Sequence, residues 1–353
     1  CTDGPHGIRP EVLWDEWDQA GWTNDSCTAF PALTCLAATW NPEMSALYGK
    51  SIGEEARYRE KDILLGPGVN IYRTPLNGRN FEYMGEDPYL SSRMVVPYIE
   101  EVQKNGVAAC VKHFALNNQE AHRHGIDVEV DDRALNEIYL PAFKAAVQEG
   151  GAWAVMGAYN KYKGEHCCHN RYLLNDILKR DWAFDGVVVS DWGGSNSAVA
   201  AVKAGGSLEM PSPGFTSVRE LEGAVKAGTL SEADINARAA EVAKIAAATK
   251  LVGVGRNDLL KDDIAAAHHD VARKVAEGSS VLLKNDNATL PFKAGTRVAV
   301  IGDMAATARY QGSGSSKVNA TKEENILEEV KNAEGLVLAG YEQGYDRQGK
   351  ADR

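Results

Sequence analysis

What most constrains this chain is the regular alternation of short, nearly uninterrupted apolar runs with amphipathic stretches. Strands are expected at Ala32–Thr39, Ile63–Tyr72, Val107–Phe114, Ala152–Tyr159 and Gly186–Asp191, with a weaker one at Ser207–Met210. A strand with one wet face alternates apolar and polar residues; these do not, as expected where helices cover both faces of a parallel sheet. Between them, Arg133–Gln148 carries Leu135, Ile138, Tyr139, Ala142, Phe143 and Ala146 at helical spacing. Ser231, with Asp234 after it, opens a helix expected to turn Ile235, Val242 and Ile245 inward, run to Leu251 and stop at Gly253. Strand–helix alternation of this kind specifies an α/β fold with a parallel sheet.

Polar residues gather just past the apolar runs: Arg73, Lys112 with His113, Tyr159 with Asn160, Asp191 with Trp192, and Glu209. A doubly wound sheet would concentrate its ligand groups at one switch point, whereas a barrel collects them from the C-terminal ends of many strands. The spread favours a TIM-like (β/α) barrel over residues 1–250, complete or lacking its first strand. Residues 251–293 read as a helical linker. A strand at Arg297–Gly302, a glycine-serine loop at Gly312–Ser316 and a second strand at Gly335–Ala339 then read as the beginning of an α/β sandwich domain, residues 294–353, incomplete at Arg353.

The 353 residues are 44% hydrophobic, enough for a large core, and carry a formal charge of −11. That balance argues against nucleic acid and anionic membrane surfaces as partners, since both call for a basic patch. No apolar run is long enough to span a bilayer. The six cysteines are too few for a disulfide scaffold in a chain of this length, and Cys110 reads as a core thiol. His166-Cys167-Cys168-His169 suggests a metal cluster, but adjacent ligands wrap one tetrahedral ion poorly, so a loop is the preferred reading and no metal is expected. The short glycine stretches lack a phosphate-loop pattern, so no nucleotide cofactor is expected either. Homo-oligomerisation is left open, as is a periplasmic, secreted or cytoplasmic location.

A carboxylate at a strand end serves as nucleophile, base, metal ligand or helix cap. Around Asp191, the cations Lys112 and Arg79 would favour the charged form, and Trp192 offers a flat apolar face. Sugars present C–H patches on a ring face and hydroxyls at the edge, so this combination suits a sugar better than a phosphate. Singly, each residue also fits a structural cap.

The stretches TDGPHGIR (Thr2–Arg9), GRNFEYMGEDPYL (Gly78–Leu90), KHFALNNQE (Lys112–Glu120), MGAYNKYKG (Met156–Gly164) and VVSDWGG (Val188–Gly194) occur in that order. Together they resemble glycoside hydrolase family 3, on its β-glucosidase branch. The resemblance implies a retaining, exo-acting hydrolase that releases terminal β-D-glucosyl or related residues, without metal or organic cofactor. Its substrate would be a β-glucoside or oligosaccharide. It makes Asp191 the nucleophile of a double displacement. It makes Asp3, Arg79, Lys112, His113, Arg123, Met156, Tyr159 and Trp192 the lining of the sugar pocket, together with Ser315 of the second-domain loop, Ser313 being the alternative. It also implies a general acid/base glutamate from the second domain, expected beyond Arg353; Glu323, Glu324, Glu328 and Glu329 read as a solvated face. A subgroup acting on N-acetylglucosamine takes its acid from a His beside an Asp, a pattern that His122 and His124 do not match. A β-xylosidase or mixed specificity is the neighbouring alternative. A sugar-binding but inactive fragment is the alternative of another class.

Overall fold

The computed structural model describes residues 1–9, 12–13, 18–19, 26–249, 261–312 and 314–345. Its centre is a sheet of β1 (Thr2–Asp3), β2 (Ile63–Leu65), β3 (Ala108–Phe114), β4 (Ala154–Gly157) and β5 (Val187–Val189). Each strand is parallel to the next, and a parallel bridge from Val189 to Leu208 continues the series. Order in space follows order in sequence and never reverses. That is the winding of a TIM-like (β/α) barrel and not of a doubly wound sheet.

The period of two along each strand sorts its side chains into two apolar clusters. Ile63, Leu65, Ala108, Cys110, Ala154, Met156, Val187 and Val189 pack together on one side, the barrel interior. Leu64, Ala109, Val111, Val155 and Val188 face the helices on the other. Those helices are α1 (Leu33–Ala38), α2 (Pro42–Tyr58), α3 (Pro88–Lys104) and α4 (Pro141–Gln148) among others. The α2–α3 pair is drawn together by glycine: a Cβ on Gly49 would lie 2.4 Å from the Tyr98 carbonyl oxygen of α3.

Several expected elements differ. Ala32–Thr39 is not a strand but α1, with Leu33, Leu36 and Ala37 buried at helical spacing. Its Ala- and Leu-rich composition favours that outcome. The ladder expected over Ile63–Tyr72 stops at Leu65, because Pro67 has no N–H to donate; a single bridge from Gly68 to Lys112 resumes it. The helix expected over Arg133–Gln148 divides into a turn at Asp132–Ala134, a π-wound segment at Leu135–Tyr139 and α4. Pro141 interrupts the hydrogen-bond ladder there, and Ile138 turns out to solvent. Ser231 caps the expected helix through the Asp234 amide, at 3.1 Å. That helix spans Glu232–Ala248, with Ile245 buried and Ile235 and Val242 half-buried. Leu251 and Gly253 lie outside the described residues.

Beyond it, α5 (Asp262–Ser279) packs on α1 and α2. A second unit follows, in which β6 (Thr296–Ile301) runs parallel to β7 (Leu336–Glu342), with α6 (Ile326–Asn332) between them in sequence. Among the described residues, contacts join this unit to the barrel, and α5 to α2. A parallel bridge joins Cys27 to Ala320. On α5, His268 lies between two α2 carboxylates, with Nδ1 2.9 Å from Glu55 and Nε2 2.8 Å from Glu54.

Both His268 nitrogens can donate only in the imidazolium form. Burial alone would lower its pKa, but the hydrogen bonds to Glu55 and Glu54 outweigh it and the pKa is raised above 6.5. A raised folded value makes this contribution complete below pH 6.5 and lost as pH rises through the folded pKa. Glu55 is fully buried; removing His268 leaves it the Thr28 amide, at 3.1 Å, but takes away its compensating charge. His268→Ala is therefore expected to cost about 3 kcal/mol. It should also flatten the decline in melting temperature of the wild type above pH 6.5, as read by circular dichroism.

Candidate active site

Continuing the inward face of each strand leads to the barrel mouth. After Ala108 and Cys110 the next inward position on β3 is Lys112; after Val187 and Val189 it is Asp191. Asp3 stands in register with inward-facing Leu65. The same alternation that fills the interior with apolar groups thus delivers charge to its rim. Past Asp191, the chain turns at Gly193 with φ +73°, and the Gly193 amide donates to the Met210 carbonyl at 2.8 Å.

Asp191 is 7% exposed. Its Oδ1 accepts from the Trp192 amide at 2.8 Å. Its Oδ2 has no hydrogen-bond donor among the described residues, and His113 Nε2 stands 3.8 Å away. The neighbouring cations do not keep this carboxyl at its ordinary pKa. Burial raises the value, and the opposing pull of Arg79, the Trp192 amide, Lys112 and Arg123 offsets burial only in part.

His113 is fully buried and held well below 6.5, first by burial and then by Arg79, Lys112 and Arg123, so it is neutral. Its Nδ1 lies 3.1 Å from the Tyr83 hydroxyl. That hydroxyl also accepts from Asn117 at 3.5 Å, and among the described residues Nδ1 is the one acceptor within reach of its proton. The arrangement assigns the proton of His113 to Nε2, which faces Asp191. Asn70 fixes the backbone of His113 from both sides, at 2.7 and 2.9 Å. Lys112 is 1% exposed, with Nζ 3.8 Å from Asp3 Oδ1, and Asp3 also faces Arg9 at 3.4 Å.

Arg79 is gripped in a fork by Glu82, at 3.2 and 2.7 Å, and stands 3.9 Å from Glu120. Burial would raise the pKa of Glu82, but Arg79 and Lys112 outweigh it and bring it to about 2. Glu120 binds Arg123 at 2.6 Å. The Arg123 guanidinium lies 4.5 Å over the ring of Tyr159, and His124 meets that ring at 4.3 Å. The Tyr159 hydroxyl donates to the Trp192 carbonyl at 2.7 Å. Met156 is buried in the interior cluster, against which the half-buried Trp192 packs.

The sequence-derived set Asp3, Arg79, Lys112, His113, Arg123, Tyr159 and Asp191 thus converges at the barrel mouth, with Met156 and Trp192 beside it. Ser315 stands apart. It is half-buried in a turn at Gly314–Ser316 and makes no hydrogen bond among the described residues. Its loop nevertheless reaches the rim, where Gly312 lies against the Phe81 ring so closely that a Cβ would fall 2.1 Å from it. Ser313 lies outside the described residues. In His166–His169 both thiols turn into the core, Cys167 to the Ala115 carbonyl and Cys168 to the Ala158 carbonyl. Among the described residues no group of three or more His, Cys, Asp or Glu could hold a metal.

Glu82, Tyr83, Glu120 and Asn70 were not foreseen. Glu82 follows Arg79 by three residues and Glu120 precedes Arg123 by three, an opposite-charge spacing that was readable. Nothing in the sequence signals the pairing of Asn70 with His113.

A buried carboxylate, a neutral imidazole and fixed cations thus stand together at the mouth of a (β/α) barrel, where barrel enzymes carry their active sites. Residues 12–245 match the family "Glycosyl hydrolase family 3 N terminal domain" and residues 280–347 the "Glycosyl hydrolase family 3 C-terminal domain". The chain belongs to glycosyl hydrolase family 3. It is 51% identical to beta-glucosidase BoGH3A of Bacteroides ovatus, over 99% of this chain and 50% of that protein. It is 40% identical to an exo-alpha-(1->6)-L-arabinopyranosidase of Bifidobacterium longum, over 98% of this chain and 46% of that one. Among solved structures it resembles beta-glucosidase 3B of Thermotoga neapolitana in complex with alpha-D-glucose, with a TM-score of 0.87, 36% identity and coverage of 97% of this chain and 47% of that chain. The chain spans about half the length of the curated relatives it matches.

The Arg79–Glu82 pair sets an acid limit on the fold. A depressed folded pKa makes its contribution complete above 4.5 and lost as pH falls toward about 2. Glu82→Gln is expected to cost about 3 kcal/mol at neutral pH. Its stability should also fall less steeply than wild type between about pH 5 and about pH 2, as followed by urea unfolding monitored through tryptophan fluorescence.

Proposed function

We propose that this chain carries the sugar pocket and nucleophile of a retaining, exo-acting β-glucosidase. The observation that carries the reading is Asp191: a buried carboxylate with one oxygen fixed by a backbone amide and the other without a donor at the barrel mouth. Asp191 Oδ2 attacks the anomeric carbon while the bond to the leaving oxygen breaks, giving a covalent glycosyl-enzyme. Water then cleaves that ester and restores the carboxylate. The transition state has oxocarbenium character, which the carboxylate stabilises as well as attacks. Asp3, Lys112, Arg79, Arg123 and the His113 Nε2–H grip the non-reacting hydroxyls and turn their binding into orientation. Trp192 gives the ring an apolar wall, Tyr159 steadies the Trp192 backbone, and Ser315 approaches from the second unit.

Departure of the aglycone needs a protonated acid of raised pKa. The carboxylates beside the pocket do not suit that task, since Asp3, Glu82 and Glu120 each face a lysine or arginine. We assign the acid to a group outside the described residues. The glycone is a hexose or a pentose of related shape; a relative named for an arabinopyranoside at 40% identity keeps a pentosidase activity as the second reading.

The test is a 2-deoxy-2-fluoro-β-glucoside with a dinitrophenolate leaving group, which departs without an acid. Peptide mass spectrometry is expected to find one fluoroglycosyl adduct, on Asp191, and dinitrophenolate release should fall by at least about 10³-fold in Asp191→Asn. Because Asp191 must be ionised and its pKa is raised, the acid limb of trapping should lie above pH 3.8. An adduct on another residue, or a folded protein that is never labelled, would sink the assignment.

A further inference from the structure

One carboxylate at the mouth has no part in the scheme above, yet touches both arginines that flank the pocket. Glu120 Oε2 accepts from Arg123 at 2.6 Å. Its Oε1 accepts from Asn117 at 3.2 Å and lies 3.9 Å from Arg79 Nη1. Glu82, by contrast, is wholly buried and forks onto Arg79, with no contact to Arg123 among the described residues. Gly78 packs along the stem of Glu120, where a Cβ would stand 3.7 Å from its Cγ. The partners come from different strand ends: Arg79 follows β2, and Glu120 and Arg123 follow β3. Arg123 in turn covers Tyr159 after β4, and Tyr159 binds the Trp192 carbonyl after β5.

We propose that Glu120 is a positioning residue: its carboxylate clasps Arg79 to Arg123 and sets how strongly their charges act on Asp191. This rests on the reading of Asp191 as the nucleophile. The groups facing Asp191 are Arg79, Lys112, Arg123, neutral His113, the Trp192 amide, Tyr159, Tyr83 and the Cys168 and Cys110 thiols. Those facing Glu120 are Arg79, Arg123, Asn117 and the Tyr83 hydroxyl. Each arginine shared with Glu120 exerts less net field on Asp191. The clasp therefore preserves the basicity that a carboxylate nucleophile needs while keeping both guanidiniums aimed at the sugar. Without it, Asp191 would face two under-compensated cations and become a weaker base.

The test separates charge from shape and does not depend on turnover. The carboxyl carbon of Asp191 is titrated by ¹³C NMR in wild type, Glu120→Gln and Glu120→Asp, its signal assigned by Asp191→Asn. Glu120→Gln is expected to lower the Asp191 midpoint by about half a unit or more, and Glu120→Asp to leave it near wild type. Trapping by the fluoroglucoside should slow about tenfold or more in Glu120→Gln, and less in Glu120→Asp, which keeps the charge but shortens the reach. An unchanged midpoint in Glu120→Gln, or an equal drop in both variants, would overturn the inference. Should Glu120→Gln not fold, Glu120→Asp decides alone: slower trapping at an unchanged midpoint supports the clasp, and a wild-type trapping rate refutes it. A midpoint shift in a protein whose Asp191 is never labelled would defeat the nucleophile reading and leave the electrostatic clasp standing.

Discussion

A carboxylate held out of water has to be offset by other charges, and the mouth of this barrel is organised around that requirement. Asp191 is buried at the end of β5, and Arg79, Lys112 and Arg123 surround it. Those cations need partners of their own, which they find in Glu82, Asp3 and Glu120. The result is a lattice of alternating sign that reaches across the strand ends. Each member is fixed by its neighbours, which gives a site whose groups point where they are needed before any ligand arrives. The net pull of the cations still falls short of the cost of burial, so the Asp191 pKa stays raised. For a proposed nucleophile that shortfall favours reactivity, since complete compensation would give a weaker base.

The barrel and the chemistry at its rim were legible in the sequence for one reason. A strand buried on both faces reads as a nearly continuous apolar run, and the polar residues that end it mark the mouth. Lys112 and Asp191 stand out as the polar residues that end apolar runs; that both take inward positions is seen only in the structure, because a run apolar on both faces hides its period. The rule gives no access to residues that reach the site from loops. Asn70 and Tyr83 act through contacts made far along the chain, and no local pattern announces them. The error at Ala32–Thr39 has a different origin. A short apolar run has no visible period, and there the Ala- and Leu-rich composition wins over the strand reading. The Glu54–His268–Glu55 cluster was equally hidden, because its members are separated by more than 200 positions, as the 213-residue gap from Glu55 to His268 records.

That cluster pins α5 to α2. The α5 helix leads into the second unit, and the Cys27–Ala320 bridge brings the returning chain back to the barrel. Amide and carbonyl of Cys27 both pair with this strap, to Asn319 and Thr321 at 2.8 Å. Val318 packs at Gly7, and Gly312 rests on Phe81, two residues past Arg79. The position of the Ser315 loop at the rim is therefore fixed by contacts some distance away, on the back of α2 and along the first barrel segment.

The same division of labour bears on specificity. The interior cluster and the strand ends hold the proposed nucleophile, the imidazole and the lysine. Around them stand the loops, namely the Phe81 turn, the Asn117–Arg123 segment, Tyr159 and the second-unit strap. Loops tolerate change at little cost to the core, whereas a strand residue cannot move without shifting its whole face. Relatives named for a glucoside and for an arabinopyranoside can therefore share this barrel at 51% and 40% identity to it.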